Sequence, residues 1–230
     1  MTVIYLIHPS GILEGPVELP IVPGLGTQLP FNALELNKVL PPARVGHTWC
    51  VVNGVPEELA DLRGEVYDTT TGEPSQFTQL GDLPEGLTDI PRPTPTHRWQ
   101  AGAWAQDASS LHAAKTADIN GQCEGAITTG FWSSALGARH LYSSQLDDQL
   151  NLMGVIVSGL DSPYACRDEQ GVKAFRPHTQ AQVRRVWDEF TLFKLQLLQR
   201  ANNLKQQLDL ALAVGDCDAM AAVTWSDSQS

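Results

Sequence analysis

The sequence predicts an α+β protein with a small β-rich N-terminal domain of short antiparallel strands, residues 1–106, and a mainly helical C-terminal domain, residues 107–230. Residues 1–110 hold 13 of the 15 prolines and 11 of the 19 glycines of the 230-residue chain. Because proline lacks the amide donor that helices and central strands use, this part favours turns and short strands. The remainder is nearly free of proline and has apolar residues at helical spacing. It also contains turn signals typical of short β-hairpins.

Short apolar runs and turn residues define the N-terminal strands. Val3–Ile7 is an apolar run that ends at a turn, and Trp49–Val52 leads into Asn53-Gly54, the strongest two-residue hairpin signal. Glu65–Asp68 is expected to return after a glycine-containing loop through a strand at 75–80.

The rest of the N-terminal domain is less regular. Residues 98–104 (Arg-Trp-Gln-Ala-Gly-Ala-Trp) predict a further small hairpin, and residues 91–95 (Pro-Arg-Pro-Thr-Pro) an extended spacer. Residues 11–45 have weak periodicity and many prolines, so they are expected to be ordered only by docking against other elements, and no strand is assigned there.

The C-terminal domain is expected to alternate helices with hairpins. A helix over 109–128 has Asp107, Ser109 and Ser110 as candidate caps, and hairpins follow at 131–142 and 164–176. Between them a second helix is expected to begin at Ser144, with Asp147 completing a capping box and Gly159 ending the helix. Its apolar stripe comprises Leu146, Leu150, Met153 and Val157.

The longest predicted helix begins at Thr179, with Gln182 completing a capping box, and ends before Gly215. One apolar stripe runs along it: Val183, Val186, Trp187, Phe190, Phe193, Leu197, Ala201, Leu204, Leu208 and Ala211. A helix of this length spans roughly 50 Å. The stripe is therefore expected either to meet another chain or the other domain, or to be buried within its own domain.

Composition excludes several classes of function. The chain has 26 acidic and 15 basic residues, a net charge of -11 and a pI near 4.8, which argues against nucleic acid as a partner. No apolar run is long enough for membrane insertion, and the first residues lack the pattern of a signal peptide.

No catalytic, metal-binding or cofactor-binding motif is present, so an enzyme is not expected and no cofactor is predicted. The six histidines and four cysteines show no metal-ligand spacing, which leaves open only a zinc site assembled from distant residues. Asp147 and Asp148 fit better as helix-terminal acids than as paired catalytic carboxylates. The six tryptophans suit either core packing or contact with a protein or a carbohydrate.

Several short motifs resemble the tail-fibre assembly proteins of tailed bacteriophages. The first is Arg63-Gly64-Glu65-Val66-Tyr67-Asp68 followed by Thr71-Gly72-Glu73. After it come Leu83-Pro84-Glu85-Gly86-Leu87-Thr88, a proline-rich step and the hairpin that starts at Trp99 and ends at Trp104. The second half is similar to a helical module of uncharacterised function that recurs in phage tail-fibre proteins, through segments such as Asp148-Gln149-Leu150-Asn151-Leu152-Met153-Gly154 and Cys166-Arg167-Asp168.

The resemblance implies a late phage protein, a chaperone that binds the distal, C-terminal region of the tail fibre and assists its folding and trimerisation in the cytoplasm of the infected bacterium. Some such proteins remain at the fibre tip in the virion. The alternative is a structural tip component that contributes to host attachment by contacting lipopolysaccharide or another surface glycan. Self-association through the long helix is a further expectation. The candidate partner-binding residues are Tyr67, Trp99, Trp104, Trp187, Phe190, Phe193 and Leu197.

Overall fold

The structure is a computed structural model that describes residues 2–225. The chain divides into two compact units, Met1–Ala105 and Gln106–Ser230. Short strands fill the first unit, and all helices of the described residues belong to the second, so the predicted α+β class is confirmed. Within the described part of the chain, no helix is long and apolar enough to cross a membrane.

Twelve antiparallel strands are described in or at the end of the N-terminal unit. They are β1 (Val3–Ile7), β2 (Leu13–Val17), β3 (Ile21–Val22), β4 (Gly26–Thr27), β5 (Ala33–Leu36), β6 (His47–Val52), β7 (Val55–Ala60), β8 (Gly64–Asp68), β9 (Pro74–Phe77), β10 (Leu87–Thr88), β11 (His97–Gln100) and β12 (Ala103–Gln106).

These strands form several small sheets. The larger ones have the orders β2-β1-β5 and β10-β8-β9, and the pairs β3-β4, β6-β7 and β11-β12 complete the set. An isolated bridge from Ile12 to Cys50 ties the first sheet to β6. The buried apolar side chains of this unit are few: Tyr5, Leu13, Cys50 and Val66.

Hairpins predicted from turn residues are confirmed, and residues 11–45, where no strand was assigned from the sequence, contain four short strands. Asn53 and Gly54 both have positive φ, as the tight β6–β7 turn requires. Of the strands within residues 11–45, β2 and β5 form because β1 pairs with one on each side: Ile4 pairs with Val17, and Tyr5 with Leu34. Non-local pairing of this kind leaves little trace in local periodicity.

The C-terminal unit consists of four helices and a four-stranded antiparallel sheet of order β13-β14-β15-β16 within the described residues. The elements are α1 (Ala108–Thr128), β13 (Phe131–Ser133), β14 (His140–Tyr142), α2 (Leu146–Ser158), β15 (Ser162–Arg167), β16 (Lys173–His178), α3 (Gln180–Ala213) and α4 (Cys217–Ala222). The predicted caps Asp107 and Thr179 each accept a backbone N–H of the first turn.

Helices α1 and α3 lie side by side and antiparallel, which two pairs of polar side chains show. His112 Nε2 lies 2.8 Å from Asp209 Oδ1, and Lys205 Nζ donates to Asn120 Oδ1 at 3.2 Å. Lys115 near the start of α1 donates to the carbonyls of Ala221 and Val223, at the end of α4. The buried residues of α1, α3 and α4 form one core with those of the sheet.

Ser144 does not cap α2, contrary to the sequence prediction. The N-cap is Gln145, whose capping box is completed by Asp148. The Ser144 hydroxyl instead donates to the carbonyl of Ile127 at 2.5 Å and accepts from the amide of Gly130 at 3.0 Å. A buried hydroxyl needs such partners, and here they fix the chain where α1 ends and β13 begins.

Candidate protein-binding surfaces

Trp99 and Trp104 lie together on the β11–β12 hairpin, as their spacing predicts. The turn residues Ala101 and Gly102 have positive φ, which brings the two strands into register. The ring centroids are 5.3 Å apart in an edge-to-face arrangement, and both side chains are half-buried. The indole of Trp104 donates to the carbonyl of Ile90 at 2.8 Å. An aromatic pair of this kind has an apolar face that can contact a protein or a sugar ring.

Arg92 holds the tryptophan hairpin against the preceding loop. Its guanidinium lies 5.5 Å from the centroid of the Trp104 ring. The same group donates to three carbonyls, those of Thr71 at 2.8 Å, Pro95 at 2.7 Å and His97 at 2.9 Å. The motif segments that are separate in sequence therefore meet around one arginine side chain. Sequence reasoning assigned this residue only to a spacer.

The loop that Arg92 contacts is organised by Asp68. Its carboxylate accepts from the amides of Thr70 at 2.8 Å and Thr71 at 2.7 Å. These bonds, that of Thr71 first, lower the pKa of Asp68. Gly72 follows with φ of 77°, and a Cβ there would lie 2.5 Å from Cδ of Arg92. Glycine is thus required both by the backbone conformation and by the approach of the arginine.

Replacing Gly72 by alanine is expected to destabilise the N-terminal unit by about 1–2 kcal/mol, the cost of an L-residue in the left-handed region, plus the displacement of Arg92. Thermal unfolding followed by tryptophan fluorescence measures this loss of stability. The matched control is Gly86→Ala, since Gly86 has φ of 90° with no atom within 4 Å of the added Cβ. Equal losses in the two variants would show that the contact with Arg92 contributes nothing.

Tyr67 lies on β8, opposite Thr88 of β10, and its side chain is half-buried. Its hydroxyl donates to the carboxylate of Glu65, and this hydrogen bond raises the pKa of Tyr67. The residue is thus tied within its own strand. Its role in partner binding stays a prediction.

The candidate residues of α3 lie in the core of the C-terminal unit. Phe190 is only 3% exposed, and its ring centroid is 5.0 Å from that of Phe131 and 6.1 Å from that of Trp187. Trp187, Phe193 and Leu197 are half-buried and pack against the same core. Of the two alternatives for this stripe, the structure shows burial within its own unit. A role of these residues in partner binding stays a prediction. The exposed parts of the half-buried side chains are the parts that a partner could contact.

The predicted apolar stripe of α2 faces the solvent, unlike the stripe of α3. Leu146, Leu150, Met153 and Val157 are between 45% and 81% exposed, whereas Leu152 on the opposite face is buried. The sequence signal was ambiguous because α2 is apolar on two faces, and Val155 and Ile156 pack with Leu152 against the core. The periodicity of the sequence identified the stripe but not whether it faces the core or the solvent. The structure therefore presents an apolar surface that no prediction had marked as a binding site.

Tyr142 and His178 form a buried polar contact in the C-terminal unit. The hydroxyl of Tyr142 lies 2.7 Å from His178 Nε2, and both side chains are almost fully buried.

All four cysteines are free, and burial raises the pKa of Cys50, Cys123 and Cys166, which disfavours reactive thiolates. Among residues 2–225, no group of three His, Cys, Asp or Glu side chains is placed to hold a metal ion.

Comparison with known proteins finds similarity to a family model and to a curated protein. Residues 110–225 match the family described as a domain of unknown function (DUF4376). Over 81 residues the chain is 36% identical to an Escherichia coli protein named tail fiber assembly protein homolog. That match covers 35% of this chain and 40% of the relative's length. No solved structure matches the chain.

Proposed function

The chain belongs to the DUF4376 family through half of its length, and from this premise, together with its tail-fibre relative, we propose that it assists the assembly of phage tail fibres. In this role it binds the distal region of the fibre and promotes folding and trimerisation of the fibre chains. The observation that carries the proposal is the 36% identity with the tail fiber assembly protein homolog.

The N-terminal unit supports this role because its motif residues organise a surface rather than a catalytic centre. Arg92 joins the Thr71 loop to the Trp104 hairpin through hydrogen bonds and a cation–π contact. The result is a fixed, half-exposed aromatic pair on a β-hairpin. Aromatic side chains held in this way are typical anchors of protein interfaces.

The physical need for such a protein follows from the fibre itself. A β-rich fibre tip is dominated by non-local pairing, so it folds slowly and exposes strand edges that aggregate. A partner that covers those surfaces during folding raises the yield of trimers. The net charge of -11 suits attraction to a basic patch on the fibre. Assembly of this kind takes place in the host cytoplasm, where the fibre chains are made.

The proposed role is binding alone, without catalysis and without a cofactor. The cysteines are poor candidate nucleophiles because burial raises the pKa of three of them. The buried His178 is held by Tyr142 and by the carbonyl of Arg176, which leaves it no free nitrogen for a substrate.

Co-expression of the fibre's distal fragment with and without this protein tests the proposal. We expect the yield of soluble, trimeric fragment to rise severalfold when the protein is present. Equal yields would refute an assembly role. Trp99→Ala is expected to reduce the gain, and Trp132→Ala is the matched control, because Trp132 is an exposed tryptophan of the other unit. The melting temperature of each variant separates lost binding from lost folding.

A retained tip component is the second candidate, favoured by the half-exposed Trp99–Trp104 pair, since aromatic faces also stack on sugar rings. In that case the chain is found in purified phage particles. It also binds lipopolysaccharide, and Trp99→Ala or Trp104→Ala abolishes the binding. Absence of the chain from particles would exclude this candidate and leave a released assembly factor.

A further inference from the structure

Helix α2 carries an apolar stripe that its own unit does not cover. Leu146, Leu150, Met153 and Val157 follow one another at intervals of four, three and four residues. At about 100° per residue this spacing keeps all four on one narrow face, and at about 1.5 Å per residue the stripe is about 17 Å long. Contiguous exposed apolar surface of this kind marks an interaction site on a folded protein.

Two further exposed leucines accompany the stripe. Leu198 of α3 lines the same groove as Leu146, a cavity of about 320 Å³ between α1, α2 and α3. Leu160, 66% exposed, follows the C-cap Gly159 at the other end. The shared groove thus extends the apolar surface of the stripe at the Leu146 end.

We infer that this stripe pairs with the same stripe of a second copy of the chain, with the two α2 helices antiparallel. The intervals of four, three and four residues read the same in both directions. A two-fold axis between residues 151 and 152 therefore places Leu146 opposite Val157 of the second copy, and Leu150 opposite Met153. Self-complementary patches of this type generate closed dimers, and a three-four spacing is the one that packs helices knobs-into-holes.

The charges of α2 favour the antiparallel arrangement. The helix has no Lys or Arg, and its acidic residues, Asp147 and Asp148, lie in the first turn. A parallel pair would place the two copies of Asp147 at the same level. The antiparallel pair separates them by nine residues along the axis, about 14 Å, which exceeds the Debye length of about 8 Å at physiological ionic strength. The helix dipoles also oppose each other in this arrangement.

A glycine beside the stripe, Gly154, permits close approach of a second helix. Gly154 follows Met153, and a Cβ added to it would meet no atom within 4 Å. Glycine inside an exposed helix costs about 1 kcal/mol relative to alanine. A helix packed against this face would lie close to the backbone at that position. The stripe and its two flanking leucines are smaller than a standard interface of about 800 Å² per partner, so the dimer is expected to dissociate on dilution.

Sedimentation velocity of the full chain over a range of concentrations tests the inference, which is independent of the role in fibre assembly. We expect a reversible monomer–dimer equilibrium that Leu150→Glu weakens about tenfold or more. The matched control is Leu192→Glu, since Leu192 is 61% exposed on α3, outside the stripe. Its dimerisation should equal that of the unaltered chain. A monomer at every concentration, or equal effects of the two variants, would overturn the inference.

Disulfide trapping tests the orientation. In an antiparallel pair, Leu146→Cys chains mixed with Val157→Cys chains should form a crosslinked heterodimer under mild oxidation. Leu146→Cys alone should not crosslink, because its two copies lie about 17 Å apart along the axis, beyond the about 7 Å Cα separation that a disulfide allows. Crosslinking of Leu146→Cys alone would show a parallel pair and refute the proposed arrangement. The unaltered chain controls for its native cysteines.

Discussion

Truncation of Phe190 to alanine is expected to lower the free energy of unfolding of the C-terminal unit by about 3–5 kcal/mol. The ring is buried between Phe131, at 5.0 Å, and Trp187, at 6.1 Å, so its removal leaves a cavity in the aromatic part of the core. Urea-induced unfolding followed by far-ultraviolet circular dichroism measures the loss, because the helices of the described residues belong to this unit.

Leu192→Ala provides the control for Phe190→Ala. Leu192 lies on the same helix but is exposed, so we expect a change within about 0.5 kcal/mol. A small loss for Phe190→Ala, comparable to that of the control, would contradict the core assignment. It would favour the sequence-based expectation that this side chain contacts a partner.

The second large effect is expected on acidification. His178 is buried, and this desolvation lowers its pKa. Its Nδ1 donates to the carbonyl of Arg176 at 2.8 Å, so Nε2 is the nitrogen that accepts from Tyr142. The unfolded chain, with a histidine pKa of about 6.5, binds the proton more readily than the folded chain does. The contribution of His178 to the free energy of unfolding is therefore constant above about pH 6.5. It is lost as the pH falls from there toward the lower pKa that His178 has in the folded chain.

Urea midpoints measured at intervals from about pH 7.5 to about pH 5.5 test this expectation, because most carboxylates titrate below that range. One proton changes the free energy of unfolding by at most about 1.4 kcal/mol per pH unit. His178→Gln should remove this slope, whereas replacement of the exposed His8 by Gln should leave it unchanged. An identical slope in the His178→Gln variant would assign the effect to other groups.

The fold was predictable where the chain carries its own local signals. Asn53-Gly54 sets a turn, and Asp107 and Thr179 cap helices by hydrogen bonds to neighbours in sequence. Prediction failed where the decisive partner is distant. Strands β2 and β5 form because β1 lies between them, and the Ser144 hydroxyl binds the carbonyl of Ile127 rather than the first turn of α2.

The binding surfaces were predictable only in part, for a related reason. Trp99 and Trp104 are close in sequence and meet across a tight turn, so their pairing follows from spacing alone. The arginine that fixes them lies in a proline-rich segment with no periodicity to mark its partners. Periodicity identified the stripe of Leu146 and Val157. It does not decide which of two apolar faces turns inward, because that depends on what the other elements cover.

The distribution of core residues along the chain has a consequence for synthesis on the ribosome. The buried apolar residues of the N-terminal unit, Tyr5 to Val66, are all made early, so this unit can fold while translation continues. The second core extends from Leu111 to Val223 and includes Met220 of the last helix, α4. At about 5–20 residues per second, α1 waits on the order of 10 s for that partner. During this interval the nascent helix exposes an apolar face to the other proteins of the cell.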